Sequence, residues 1–410
     1  MKHKLLPFLL LATVGCKFNN EPDRQPIVLQ EIDYQLPYLF TSQIEHDLAT
    51  ETAEWKYQKA ASEYAAKGDY KNAMSTWDLG MPGGEKTYSQ EEIDSINQTY
   101  EIRNAKDYII EAADEEQVII INEAHHNSSH RFFTKSLLQG LYDKGYRYFG
   151  LEALSPGKWM DSTLNERKYP IQGSGYYIKD PQFGDLVRKA MEIGFEVFPY
   201  EDTTNASGKF REIGQAKQIA DMIRKHPESK FLIHCGFAHA YEGEYEAWEK
   251  TMAGRLKEFT QIDPYTITQT TYSERGDSTF NHPLLKALDP KEPSVLINKE
   301  SGKAFGYDWK TNYTDLAILH PMSSYINGRP DWLFAQGNKQ AEIYVPEHKM
   351  SYPLMFLAFK AGEDVQRAVP MDIVEADSTN TEVLMALPAG NYSVILADSV
   401  DAMVFDWKVE

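Results

Sequence analysis

Residues 118–154 read VIIINEAHHNSSHRFFTKSLLQGLYDKGYRYFGLEAL, and the order of signals in this stretch decides the fold class. Four β-forming apolar residues in a row, Val118 to Ile121, suit a strand buried on both faces. The run stops at Asn122-Glu123-Ala124-His125-His126, so an acid and two imidazoles leave the sheet together. A helix is expected next, capped by Ser128 or Ser129, with Phe132, Phe133, Leu137, Leu138 and Leu141 on one face. Gly145 ends it, and a second strand over 146–151 delivers Glu152 at its carboxyl end. Ligands of open α/β sheets bind outside the carboxyl ends of the strands. The two strands therefore place an acid–His–His cluster and a second acid on one rim.

The same alternation continues downstream. Strands are expected at 118–121, 146–151, 196–200, 230–234 and 265–271, with amphipathic helices at 183–193, 209–225 and 245–258 between them. Strands separated by helices imply parallel pairing through crossovers. A late strand is expected at 315–320, and Arg329-Pro330-Asp331-Trp332 reads as a surface turn. From residue 340 the texture changes to short alternating runs such as AEIYV, LMFLAFKA and YSVILADS, as in a small antiparallel β domain. Upstream, 45–80 reads as helical, with one hairpin resembling a tetratricopeptide unit. A single copy makes no solenoid, so it reads as a cap or a surface for a protein partner. A further helix is expected over 89–113. The expected class is α/β: a central, mostly parallel sheet with helical crossovers (117–339), an N-terminal helical section (45–116) and a C-terminal β-sandwich-like domain (340–410).

The 410 residues carry a formal charge of −19. That balance argues against a nucleic-acid partner, which needs a basic face, and against anionic membrane surfaces. Lys2 and Lys4 precede an apolar stretch from Leu5 to Val14 that is too short to span a bilayer as a mature helix. Thr13-Val14-Gly15-Cys16 resembles a bacterial lipobox. By that resemblance 1–15 is a signal peptide, Cys16 is lipidated, 16–44 is a tether, and the protein sits in the cell envelope, at the outer membrane, held by its lipid anchor alone. Cys235 is then without a partner, so a disulfide framework is ruled out.

A second informative stretch, 210–241, reads FREIGQAKQIADMIRKHPESKFLIHCGFAHAY. Arg211 opens a helix, and the strand that follows runs into Gly236 and His239. The expected cluster is Glu123, His125, His126, Glu152, Glu201, Arg211, His234 and His239. Two imidazoles and two carboxylates suit a divalent metal. A histidine oriented by a glutamate can equally deprotonate water while an arginine stabilises the oxyanion. Residue types leave both open. His130 and Arg131 read as exposed, His234 as a hydrogen-bonded strand histidine, Cys235 as a buried small residue and Asp202 as a first-turn acid, while Glu201 reads either as a first-turn acid or, with Trp159 and Tyr176, as a substrate-binding residue. Trp159, Tyr169, Tyr176 and Tyr177 lie in an irregular, Gly- and Tyr-rich stretch that suits a lid, where rings can stack on a planar ligand.

A strand ending in an E-x-H element, a Glu ending the next strand, an R-[DE]-x-x-x-A helix and a later G-x-x-H together resemble one superfamily. It includes erythromycin-esterase-like hydrolases, Tiki/TraB-type metalloproteases and haem-binding iron-uptake lipoproteins. The resemblance covers roughly 118–241. It implies that Glu123 and Glu152 are the two strand-end acids, Arg211 the helix-start arginine, and Gly236 with His239 the second motif. His126 matches the esterase-type general base and His125 the Tiki-type position. Asn122 stands where the pattern has glycine. The resemblance implies hydrolysis of an ester, amide or related bond in a small molecule or peptide. In its metal-dependent form Glu123, His125 and His239 would hold manganese, cobalt or zinc. The alternative it offers is a haem- or planar-ligand-binding lipoprotein without turnover.

Overall fold

The computed structural model describes residues 25–204 and 206–410; the expected signal peptide and the expected lipidation site Cys16 lie outside them. Six strands form the central sheet: β1 (Val118–Glu123), β2 (Tyr146–Leu151), β3 (Glu196–Pro199), β4 (Lys230–Gly236), β5 (Tyr265–Thr268) and β6 (Leu316–Ala317). Their order is β6-β5-β1-β4-β2-β3, and every neighbouring pair is parallel. Strand β1 sends Ile119 and Ile121 to one face and Val118 and Ile120 to the other, as the two-residue period of a strand requires. The first face is covered by the helices Ser129–Asp143 and Pro181–Ile193, the second by Lys209–Lys225 and Met252–Thr260. This is a doubly wound α/β sheet, and β1, β2, β3 and β4 all point their carboxyl ends at one rim.

Two expected helices are interrupted. Over 89–113 the chain forms a helix, Gln90–Thr99, then the strand Tyr100–Asn104, then the helix Ala105–Ala112. The strand pairs antiparallel with Ser294–Asn298, and Asn104 accepts from the Asp107 amide to start the next helix. The expected helix at 245–258 begins only at Met252, because Tyr245 and Glu249 close a tight turn instead. The segment 45–80 divides into Thr41–Thr50, Lys56–Ala66 and Tyr70–Gly80. Its second break has a left-handed residue, Gly68 (φ +79°), followed by Asp69 capping the third helix. The expected late strand at 315–320 contracts to β6.

The C-terminal region is antiparallel. Leu354–Lys360, Asp372–Ala376, Gly390–Ala397 and Ala402–Val409 form one sheet, with the ribbon Asn338–Tyr344/Glu382–Pro388 packed on one of its faces. The segment expected as a tether is built into this unit from Gln30 onward. Gln30 and Glu31 pair with Val404 and Met403, and Tyr38 and Phe40 bury against Met355, Leu357 and Ile395 on the sheet's other face. The expected surface turn at 329–332 is also drawn inward: Arg329 is buried against Asp372 at 2.5 Å, and Trp332 packs on Tyr70 and Phe132. Among the described residues, no helix is long and apolar enough to cross a membrane.

Gly68 joins the helical hairpin to the C-terminal sheet. A Cβ there would lie 2.6 Å from the Ile373 carbonyl oxygen, at a φ that disfavours side chains. Gly68→Ala should cost more than about 1 kcal/mol, whereas Gly84→Ala, in open space, should stay within about 0.5 kcal/mol. Urea unfolding midpoints of the two variants measure the difference.

Candidate active site

The carboxyl ends of β1, β2, β3 and β4 deliver acids and imidazoles to the rim, and helix starts supply the counter-charges. Glu123 closes β1 and is buried. Arg131, in the first turns of the following helix, meets it with Nε at 2.5 Å from Oε2 and an Nη at 2.7 Å from Oε1. The same guanidinium bonds Asp180 and donates to the His125 carbonyl at 2.9 Å. Asp180 in turn accepts from Ser128 and from the Gln182 amide, capping the Pro181–Ile193 helix. Arg131 is therefore among the largest fully buried side chains rather than an exposed one. His130 is buried as well, its Nδ1 accepting from the Ala124 amide at 3.0 Å. Ser128 stands at the N-cap as expected, but its side chain makes no cap hydrogen bond, and Asn127 Oδ1 accepts from the Ser129 amide instead.

The histidine doublet divides. His125 turns into the rim, its Nδ1 at 3.0 Å from Glu123 Oε1 and its ring stacked on Tyr177 at 3.9 Å. His126 turns away, stacking on Trp77 of the N-terminal hairpin at 4.0 Å with Nδ1 unpartnered. Gly236 makes room for His125: a Cβ there would come 2.3 Å from His125 Cε1 and 2.6 Å from its Nε2. The next residue, Phe237, has φ +41° and meets His125 edge-on. Asn122, at the position where the resembling pattern has glycine, donates to the Phe237 carbonyl at 2.7 Å. The amide side chain thus fastens the loop that carries this ring.

Arg211 forms a second centre. Its Nε and one Nη reach Glu201 at 3.0 and 2.5 Å, the same Nη reaches Glu152 at 2.5 Å, and the other lies 3.0 Å from His239 Nε2. Glu201 is thus an arginine partner rather than a helix-start acid. Glu152 also accepts from the Gly236 amide at 2.5 Å. His239 Nδ1 lies 2.8 Å from Glu212, which also accepts from the Met252 amide. His234 lies within β4 with Nε2 buried and unpartnered, 3.8 Å from Glu123. Cys235 is buried.

Burial alone would raise the Glu123 carboxyl, but the Arg131 charge and the His125 contact outweigh it and hold the group well below the usual range. Glu152 follows the same logic: burial raises it, His239 and Arg211 more than offset this, and it sits at about 2. For His239 burial works downward, and Glu152 and Glu212 carry it above its ordinary value. Burial dominates elsewhere, lowering His234 to about 4 and His126 well below its usual value, and raising the Tyr177 hydroxyl to about 12. At neutral pH both strand-end acids are ionised.

A cavity of about 230 Å³ opens among these groups, lined by Glu123, His125, Glu152, Arg211, His234 and Tyr177 among others. A neighbouring depression of about 410 Å³ shares Leu154, Ser155, Pro156 and Glu201 with it. Of the expected lid, Tyr176 lines the cavity and is half exposed. Trp159 is 71% exposed and lines neither opening. Tyr169 instead packs on the C-terminal unit.

The proposed metal ligands Glu123, His125 and His239 are already engaged. Both Glu123 oxygens hold Arg131, His125 Nδ1 faces Glu123, and the His239 nitrogens face Glu212 and Arg211. Among the described residues no three His, Cys, Asp or Glu side chains converge in a way that could hold a metal ion. Guanidinium groups occupy the places a cation would take, so this donor set does not fit a metal.

Arg131, Asp180, Glu212, Trp77 and Phe237 were not among the expected site residues. Asp180 before Pro181 was a legible helix start. Trp77 carries no local signal, because it arrives from a separate helical hairpin.

No family model matches the chain, and no curated protein matches it. Solved structures similar to it include the type III effector HopBA1, at 11% identity and a TM-score of 0.34, covering 55% of this chain and 100% of that one. RRSP, a MARTX toxin effector domain from Vibrio vulnificus CMCP6, matches at 16% identity and a TM-score of 0.28, covering 53% and 44%. A chain described as a bacterial protein toxin matches at 12% identity and a TM-score of 0.31, covering 56% and 48%. The chain thus spans the whole of the first and under half of the other two.

Arg131→Ala would strand two buried carboxylates, and should cost about 3–5 kcal/mol in urea unfolding. A depressed carboxyl contributes stability above its unfolded value and loses it as pH falls through its folded value. The Glu152 contribution should therefore be complete above its ordinary value of 4.5 and fade as pH falls toward about 2. Glu152→Gln should remove that part of the acid dependence, which unfolding curves across this range would register.

Proposed function

We propose that this protein is a hydrolase in which His125, oriented by Glu123, activates water against an ester, amide or related bond. The observation that carries the reading is the His125–Glu123 contact beside an open cavity. With Nδ1–H donating to the ionised Glu123 carboxylate, Nε2 is the unprotonated ring nitrogen, and it makes no hydrogen bond to another described residue. A water at Nε2 passes its proton to the imidazole as its oxygen attacks the carbonyl carbon. The same proton then goes to the leaving oxygen or nitrogen. Glu123 stays ionised throughout and holds the ring in place.

Arg211 supplies positive charge to the developing oxyanion. A guanidinium has five N–H donors, and the Arg211 contacts to Glu201, Glu152 and His239 employ four of them. One remains for substrate. Glu152, Glu201 and His239 position this arginine. The resemblance to erythromycin-esterase-like hydrolases supports the same assignment of Glu123, Glu152, Arg211 and His239, with His125 preferred over His126 because only His125 lines the cavity. Binding of haem without turnover is less well supported. The cavity is below the roughly 300–1,000 Å³ of sites that enclose drug-sized ligands, and a porphyrin is a large planar molecule.

Hydrolysis of p-nitrophenyl acetate and of a panel of esters and amides tests the proposal. His125→Ala should lower kcat by about 10²–10⁴-fold, while His126→Ala should retain most activity. Dialysis against EDTA should leave turnover unchanged. Equal losses in the two histidine variants, or loss on chelation that zinc or manganese restores, would overturn it.

A further inference from the structure

A second and larger opening has in its wall Phe237, the residue whose ring meets His125. This cleft has a volume of about 1410 Å³ and is lined by Phe237, Tyr241, Tyr245, Tyr307 and Trp309 among others. Tyr241 and Tyr307 stack at 4.8 Å with planes 19° apart. Trp309 is 59% exposed. It stands on a hairpin, Asp308–Trp309 and Asn312–Tyr313, whose second strand pairs with Glu242–Gly243. The chain thus uses short strands to hold a large ring out in water, where burial gives no reason for it.

Between the rings the lining is polar and close to neutral. Four glutamates face two lysines and one arginine, and Lys250 pairs with Glu258 and Arg255 with Glu249. Such a surface has no pull on a phosphate backbone and little on a polycation. Flat aromatic platforms separated by paired hydrogen-bonding groups suit instead a ligand with apolar C–H faces and many hydroxyls. Phe237 links the two openings: it lines the cleft, and its ring meets His125, which lines the cavity, at 5.0 Å. Its φ of +41° is a strained conformation for a bulky residue, and Asn122 holds its carbonyl. A ligand seated in the cleft therefore ends one ring away from the catalytic imidazole.

We infer that the cleft binds a neutral oligosaccharide, and that the bond cleaved at His125 is an acyl ester carried by that glycan. The second part rests on the hydrolase reading. The larger cleft takes the sugar chain and the smaller cavity the acyl group. Water adds to the ester carbonyl as His125 Nε2 takes its proton. The acyl–oxygen bond then breaks, and the sugar oxygen recovers the proton from His125, giving a carboxylic acid and a free sugar hydroxyl.

Calorimetric titration of the full chain with cellohexaose, xylohexaose and chitohexaose tests the cleft, and acetate release from acetylated xylo-oligosaccharides tests the bond. Binding of at least one oligosaccharide is expected, weakened tenfold or more in Trp309→Ala and in Tyr307→Ala, and retained in His125→Ala, which should release no acetate. Failure of all three sugars to bind, or binding untouched by both aromatic substitutions, overturns the inference. A lysine-rich peptide that binds in their place, with the same sensitivity to Trp309→Ala, also overturns it. Sugar binding that depends on Trp309 without acetate release by the unsubstituted protein upholds the cleft and overturns the glycan-ester part, and the hydrolase reading falls with it where p-nitrophenyl acetate is also left intact.

Discussion

The burial of Arg131 between Glu123 and Asp180 is the constraint from which the rim's geometry follows. Removing a guanidinium and two carboxylates from water is costly, and only close, multiply hydrogen-bonded pairing offsets that cost. The fork of Arg131 meets this demand by joining the end of β1 to the cap of the Pro181–Ile193 helix, while Ser128 satisfies Asp180 further. Tyr70 of the N-terminal hairpin approaches the same carboxylate at 3.4 Å. One ion pair thus ties three parts of the chain together. It also keeps Glu123 ionised and aimed at His125, which a solvated acid would not be.

A second network repeats the logic with less burial. Arg211 gathers Glu152, Glu201 and His239, with Glu212 behind the imidazole. The outcome is a lattice of fixed charges of alternating sign around a small cavity. Such preorganisation serves reactions in which charge develops in one place, because the dipoles need not reorganise when it appears. It also explains why carboxylates and imidazoles at metal-like positions do not form a metal set: their lone pairs face guanidinium groups that the fold has brought in.

The flanking units are part of this arrangement rather than appendages to it. The N-terminal segment completes the C-terminal sheet, and Gly68 lets the helical hairpin approach that sheet. From the hairpin, Trp77 stacks on both His126 and Phe237. The pair of histidines is thereby sorted: one is taken out of the cavity by a tryptophan and the other is left facing it. Phe237, at a positive φ, lines the wide aromatic cleft and meets the His125 ring, which lines the small cavity.

Much of this was legible in the order of residues. The buried run Val118–Ile121, the alternation of strands and helices, and acids placed at strand ends all depend on local periodicity, so the parallel sheet and the rim bearing Glu123, Glu152, Arg211 and His239 could be read directly. The extra strand Tyr100–Asn104 could not, because it forms only when Ser294–Asn298 lies beside it. Nor could the burial of Arg131, since an arginine on a helix is exposed unless distant carboxylates meet it. His125 and His126 are chemically identical neighbours, and nothing local distinguishes them. Tertiary structure decided between them, because ring stacking on Trp77 or Tyr177, and the space left by Gly236, are contacts between parts of the chain far apart in sequence.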